Sequence, residues 1–278
     1  MSAADRTEQE VGRTPASAGT RPYTDAHAIV WVDMGFSFSQ GITEEALADV
    51  RPALSKLLLP EGFKKGRTGK AKSENLASFE RRSEDGEILE VVHLHRGHFH
   101  VVTHEYRGWD FTKARSLSRL FPVFHALQNA GIAINKWVLV FRDGFLNDDI
   151  GSYSPADVVR PNQYIPRAAL SAGPFWNSSF VLNIDNESPV AERAWSNSFS
   201  RLVVDARIRE NDKKHQHVTF ITHSQMMFRN FGIRKKVKWS EDHVDSVLDL
   251  MHDKNADLLR EVLSLEMVDR IGLTEEKP

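Results

Sequence analysis

The chain has 278 residues, 41% of them hydrophobic, and its 36 basic and 38 acidic side chains leave a net charge of -2. That apolar fraction excludes disorder throughout, and the balanced charge gives no global attraction to nucleic acid or to membranes. With no cysteine, disulfides, thiolate nucleophiles and cysteine-based zinc or iron–sulfur sites are excluded, so only His, Asp and Glu remain as metal ligands.

Residues 1–24 are polar and poor in large apolar side chains, the composition of a disordered tail. They lack the apolar stretch of a secretory signal, and nowhere do about 18 apolar residues run together, so the expectation is a cytoplasmic protein with no membrane partner. From His27 the alternation through Ile29, Trp31, Asp33, Phe36 and Phe38 predicts a core strand. Thr43, followed by Glu44 and Glu45, starts a helix whose stripe is Leu47, Val50, Leu54 and Leu57, and Pro60 and Gly62 end it. The basic, glycine-containing stretch 63–75 is read as a mobile, solvated loop rather than a dedicated anion site.

Three strands follow near 75–82, 87–95 and 98–106, joined by turns at Gly86 and at Arg96-Gly97. Asp110 is expected to cap a helix carrying Leu117, Leu120, Phe121, Phe124 and Leu127, with Gly131 at its end. Residues 136–145 predict a buried strand, and the Pro- and Ser-rich stretch 151–166 marks a boundary between halves at 25–150 and 151–278. The second half reads as strands near 176–185, 199–208 and 213–224, then a helix from Ser240 to about Leu265. Both halves run strand, hairpin, long helix. The fold class is therefore α+β: antiparallel sheets with long amphipathic helices on one face, in two half-sheets that a degenerate repeat could relate.

The densest chemistry is VVHLHRGHFHVVTHEY, with five histidines between His93 and His104. If Arg96-Gly97 is a two-residue turn, His95 faces His98 and His93 faces His100, and alternation puts all four on one side. Cross-strand Cβ separations of about 5 Å then allow two or three imidazoles to converge on Zn²⁺ or Ni²⁺. The competing reading is a polar, solvated sheet face, favoured because no acidic residue on that face is placed to support the ligands. His215, His217 and His223 alternate along a second strand and are read as exposed, with a site shared between the two clusters as the alternative.

Arg229, Arg234, Lys235, Lys236 and Lys238 interleave with Phe228, Phe231 and Trp239, a pattern that suits a single-stranded nucleic acid or another polyanion. It equally suits a connection whose rings enter the core while its charges stay wet. Phosphate-binding, dinucleotide-binding, serine-elbow and His-Glu-x-x-His motifs are absent, and Asp148-Asp149 and Asp185 with Glu187 fall in turns where short acids cap the backbone. No catalytic residue is assigned.

The hairpin VVHLHRGHFHVVTHEYRGW followed by a helix, the strand KWVLVFRDGF and the closing MHDKNADLLREVLSLEMVDRIGL resemble a sporadically distributed family of uncharacterised bacterial proteins of about 250–280 residues. Where that family has a glutamine-rich strand, this chain has histidines. The resemblance implies a non-enzymatic accessory, sensor or regulatory subunit of a bacterial defence or toxin–antitoxin-like system, bound to another protein encoded nearby. Nucleic-acid binding through 228–239 and a histidine-metal hydrolase are the competing functions, and self-association is left open.

Overall fold

The computed structural model describes residues 19–24, 27–38, 41–66, 68–70, 74–171, 173–184, 198–211, 214–228 and 240–274. Among these, the strands are β1 (Arg21–Pro22), β2 (Ile29–Phe38), β3 (Lys64–Lys65), β4 (Asn75–Arg82), β5 (Ile88–His95), β6 (His98–Thr103), β7 (Ile134–Asn147), β8 (Trp176–Ile184), β9 (Ser198–Asn211) and β10 (Lys214–Phe228). The helices are α1 (Glu44–Leu58), α2 (Trp109–Asn129), α3 (Pro155–Val158), α4 (Arg167–Leu170), α5 (Glu241–Val262) and α6 (Leu265–Arg270). The strands form one antiparallel sheet in the order β3-β4-β5-β6-β2-β7-β10-β9-β8, with β1 paired to β7. The α+β class read from the sequence is the observed one.

The connections repeat. β2 is followed by a helix and by the meander β4-β5-β6, whose last strand returns to pair with β2; α2 then crosses the sheet. In the same way β7 is followed by α3 and α4 and by β8-β9-β10, whose last strand pairs with β7 before α5. These two repeated units, one from β2 to α2 and one from β7 to α5, are joined edge to edge, because β2 and β7 are themselves hydrogen-bonded neighbours; the halves expected at 25–150 and 151–278 would instead have placed β7 with β2. Burial explains the join: Met34 and Phe36 of β2 and Trp137, Leu139 and Phe141 of β7 all face the same helices and lose their exposure only when the strands lie side by side.

Local chemistry sets the helices. Thr43 accepts from the Ala46 amide and Ser240 from the His243 amide, so α1 and α5 begin on side-chain caps with acidic residues in their first turns. Asp110 does not cap α2; it lies inside the first turn, and Gly108 takes the cap position at φ 101°, a conformation that favours glycine. Leu47, Val50, Leu54, Leu120, Phe124, Leu127, Val247 and Leu248 then pack over one sheet face. Phe36, Phe99, Phe124 and Trp137 form its aromatic centre, with ring centroids 5.1 to 6.1 Å apart.

The polar N-terminal stretch is not uniformly outside the fold. Residues 1–18 lie outside the described residues, but Arg21 and Pro22 pair with Leu146 and Phe145. Tyr23 packs with Val30 against Leu146, Val218 and Phe220, apolar area that would otherwise face water. No helix among the described residues is long and apolar enough to cross a membrane.

Candidate metal centre

β5 and β6 form the hairpin that the turn residues imply, with His93 opposite His100 and Leu94 opposite Phe99. Leu94 and Phe99 are fully buried under the helices, so the alternating positions His93, His95, His98 and His100 occupy the opposite, open face. Their rings touch: His95 and His98 stack at 4.3 Å, His93 and His100 at 5.3 Å, and His98 meets His100 at 5.4 Å. His95, His98 and His100 each offer a ring nitrogen, and these atoms all lie within 4.8 Å of one another. Of the four histidines expected from the sequence, three therefore converge, while His93 stacks beside them; His104 stands apart.

β2 supplies what the sequence reading missed. Gly35 lies opposite His100, so alternation places Asp33 on the histidine face one diagonal step away. Both Asp33 carboxylate oxygens are 3.1 Å from Nδ1 of His100. A carboxylate only accepts, so Nδ1 carries the proton and Nε2 keeps its lone pair. That Nε2 is buried and has no hydrogen-bond partner among the described residues. His95 repeats the arrangement, its Nδ1 donating to the Glu74 carbonyl at 3.1 Å. The expectation that no acidic residue supports this face is thus corrected: the acid comes from a strand 67 residues away.

Burial keeps His95 and His98 neutral. Burial lowers the pKa of His93, His95 and His98, with neighbouring imidazoles adding to it, and takes His98 down to about 4. Imidazoles held neutral at pH 7 need release no proton to bind a cation. Asp33 supplies the negative charge beside them, and its side chain and that of His100 keep 23% and 22% exposure, so the centre is reachable from solvent.

The second histidine strand behaves differently. His217 and His223 are 0% and 2% exposed, which corrects the expectation that they are solvated; the side chain of His215 lies outside the described residues. His223 lies opposite Phe141, on the helix-covered face, so the two clusters are on opposite sides of the sheet and cannot share an ion. His217 donates to the Pro174 carbonyl at 2.7 Å and stacks on Tyr153. His223 joins Ser200 through Nε2 at 2.6 Å and Asn255 through Nδ1 at 2.9 Å, and burial takes its pKa down to about 4.

Arg229, Arg234, Lys235, Lys236, Lys238 and Trp239 lie outside the described residues. Within the basic stretch 63–75, Lys64 and Lys65 pair with Glu80 and Phe79 as an edge strand instead of a wholly irregular loop. Asp149 caps a turn by accepting from the Gly151 amide, the role its sequence context implies. No protein-family model matches the chain, and no curated protein is significantly similar to it.

Proposed function

We propose that this chain is a regulatory or accessory protein that holds one divalent transition ion, Zn²⁺ or Ni²⁺, on His95, His98 and His100 and acts by binding another protein. The observation that carries the metal reading is the anchoring of two Nδ1 atoms, on Asp33 and on the Glu74 carbonyl, which turns both Nε2 atoms into oriented bases. An all-imidazole set suits Zn²⁺ or Ni²⁺ better than Mg²⁺ or Ca²⁺, which take oxygen ligands. The protein-binding half rests on the sheet's edge: β8 ends the strand order, and nearby Phe175 and Val181 are 65% and 55% exposed. The partner is a protein encoded nearby, in the defence or toxin–antitoxin-like setting that the family resemblance implies.

The test is metal analysis of protein purified without a histidine tag, followed by Zn²⁺ and Ni²⁺ titration. One equivalent that is lost in His95→Ala and His100→Ala supports the centre, and less than about 0.2 equivalents in a folded sample discards it. Co-purification with the neighbouring gene product, with and without metal, tests the second half; two separate peaks on size exclusion would end it. Three histidines also leave a fourth position for water, the arrangement of a hydrolytic zinc. Ester or phosphoester hydrolysis that appears with metal and disappears in His98→Ala would favour that reading.

A further inference from the structure

On the helix side of the sheet, away from the histidines, β7 directs Trp137, Leu139, Phe141, Asp143 and Phe145 inward, each 0% or 1% exposed. Alternation demands a hydrophobe at position 143, and the chain places a carboxyl there. Its Oδ2 is buried without a hydrogen-bond partner, and no ion pair reaches Asp143 among the described residues. Leaving such a group unpaired in an apolar interior is costly, so its presence asks for a partner that arrives from outside.

The route is a cavity of about 450 Å³ that Asp143 lines together with Tyr106, Phe141, His252, Asn255 and Leu259. Behind it Trp109 stacks on His252 at 4.5 Å, nearly parallel, so the wall is a fixed aromatic surface. The other titratable groups on the lining are His27 and Arg107. His27 already contacts the Tyr106 carbonyl, and Arg107 pairs with Glu105 while keeping 60% exposure, so neither supplies Asp143 with a counter-charge.

We propose that this cavity binds a small organic cation, an amine or amidine on an apolar body, whose charged end pairs with Asp143 while its body lies against Tyr106, Phe141 and His252. An anion would face a buried carboxyl, and a neutral apolar ligand would leave that carboxyl unsatisfied. A desolvated cation held over aromatic faces gains from both the charge pair and the rings. Burial holds Asp143 up to about 7, so below that pH an incoming cation displaces a proton into solvent.

The probes are benzamidine and phenethylamine, with benzamide and benzoate as the neutral and anionic comparisons, read by saturation-transfer NMR and calorimetry on the full chain. Both cations are expected to bind at least tenfold more tightly than benzamide, with release of about one proton near pH 6 across buffers of different ionisation enthalpy. Asp143→Asn should weaken cation binding at least tenfold, and Ala256→Trp, which fills the cavity from a half-exposed helix position, should remove it while the metal centre is untouched. Equal binding of benzamidine and benzamide, unchanged affinity in a folded Asp143→Asn protein, or no cation binding at 10 mM overturns the proposal.

Discussion

Asp33 of β2 and His100 of β6 meet diagonally across the paired strands, with both carboxylate oxygens 3.1 Å from Nδ1 of the imidazole. This contact orients the ring and holds the proton on Nδ1, which leaves the Nε2 lone pair facing the other imidazoles. Asp33→Asn keeps the shape and removes the charge, so Zn²⁺ affinity should fall about 10- to 100-fold with little change in thermal stability. His93→Ala, which removes a stacked ring outside the converging group, should cost much less. A chelator-competition titration distinguishes the two, and equal losses would remove Asp33 from its orienting role.

Gly35 is what lets β2 and β6 carry this contact. A Cβ at that position would come within 2.5 Å of the Phe99 carbonyl oxygen and 2.6 Å of the His100 Cβ, both fixed by the sheet. Gly35→Ala must push the strands apart, at a cost of about 1–3 kcal/mol. Urea denaturation should show that loss, and metal titration should show weaker binding as His100 moves away from Asp33. A variant as stable as the parent would mean that the sheet yields more easily than its packing implies.

What could be read from the sequence divides by distance along the chain. The hairpin register, the caps of α1 and α5 and the apolar stripes depend on residues a few positions apart, and these were legible. Asp33 was not, because nothing local says that β2 pairs with β6 across the intervening meander. The burial of His217 and His223 was hidden for a different reason. Along β10 one face carries His217, Thr219, Ile221, His223 and Gln225 and the other Val218, Phe220, Thr222 and Ser224, so neither side is clearly the apolar one. Only the seating of α5 decides between them, and that is tertiary. Asp143 could have been noticed: it interrupts the apolar row of its strand, and a polar residue at a core position marks a functional place.

Glu90 shows the opposite kind of buried acid, one whose partners are built in. It is fully buried, yet its oxygens accept from Arg115 Nε at 2.7 Å, Arg119 Nε at 3.1 Å and Arg81 Nη2 at 3.4 Å, while Arg119 also pairs with Glu61. Removing the shared acid leaves three guanidinium groups crowded together with only Glu61 and Glu105 to offset them. Glu90→Ala should cost about 3–5 kcal/mol in equilibrium unfolding. Neither ligand titration of the cavity nor metal content of the fraction that remains folded should change, which separates this structural network from both sites.

Asp143 has no such partners, and its protonation should make stability depend on pH in a defined direction. Burial moves its carboxyl from an ordinary value of 3.8 up to about 7 in the folded chain. Below about pH 4 both the folded and unfolded states hold the proton, and the group contributes no difference. As pH rises from about 4 to 7 the unfolded chain gives up its proton while the folded chain keeps it, so unfolding becomes progressively favoured; above 7 the penalty levels off, on the order of 4 kcal/mol. Asp143→Asn cannot ionise and escapes that penalty. Its stability advantage over the parent should therefore be small at pH 4.5 and reach a few kcal/mol at pH 8, measured by urea denaturation at both values. Saturating benzamidine should narrow the gap at pH 8 by stabilising only the parent, the expected exchange of stability for binding at a site that holds an unpaired charge. A gap that stays the same at both pH values would show that Asp143 titrates as an ordinary carboxylate and would remove the reason to expect a cation beside it.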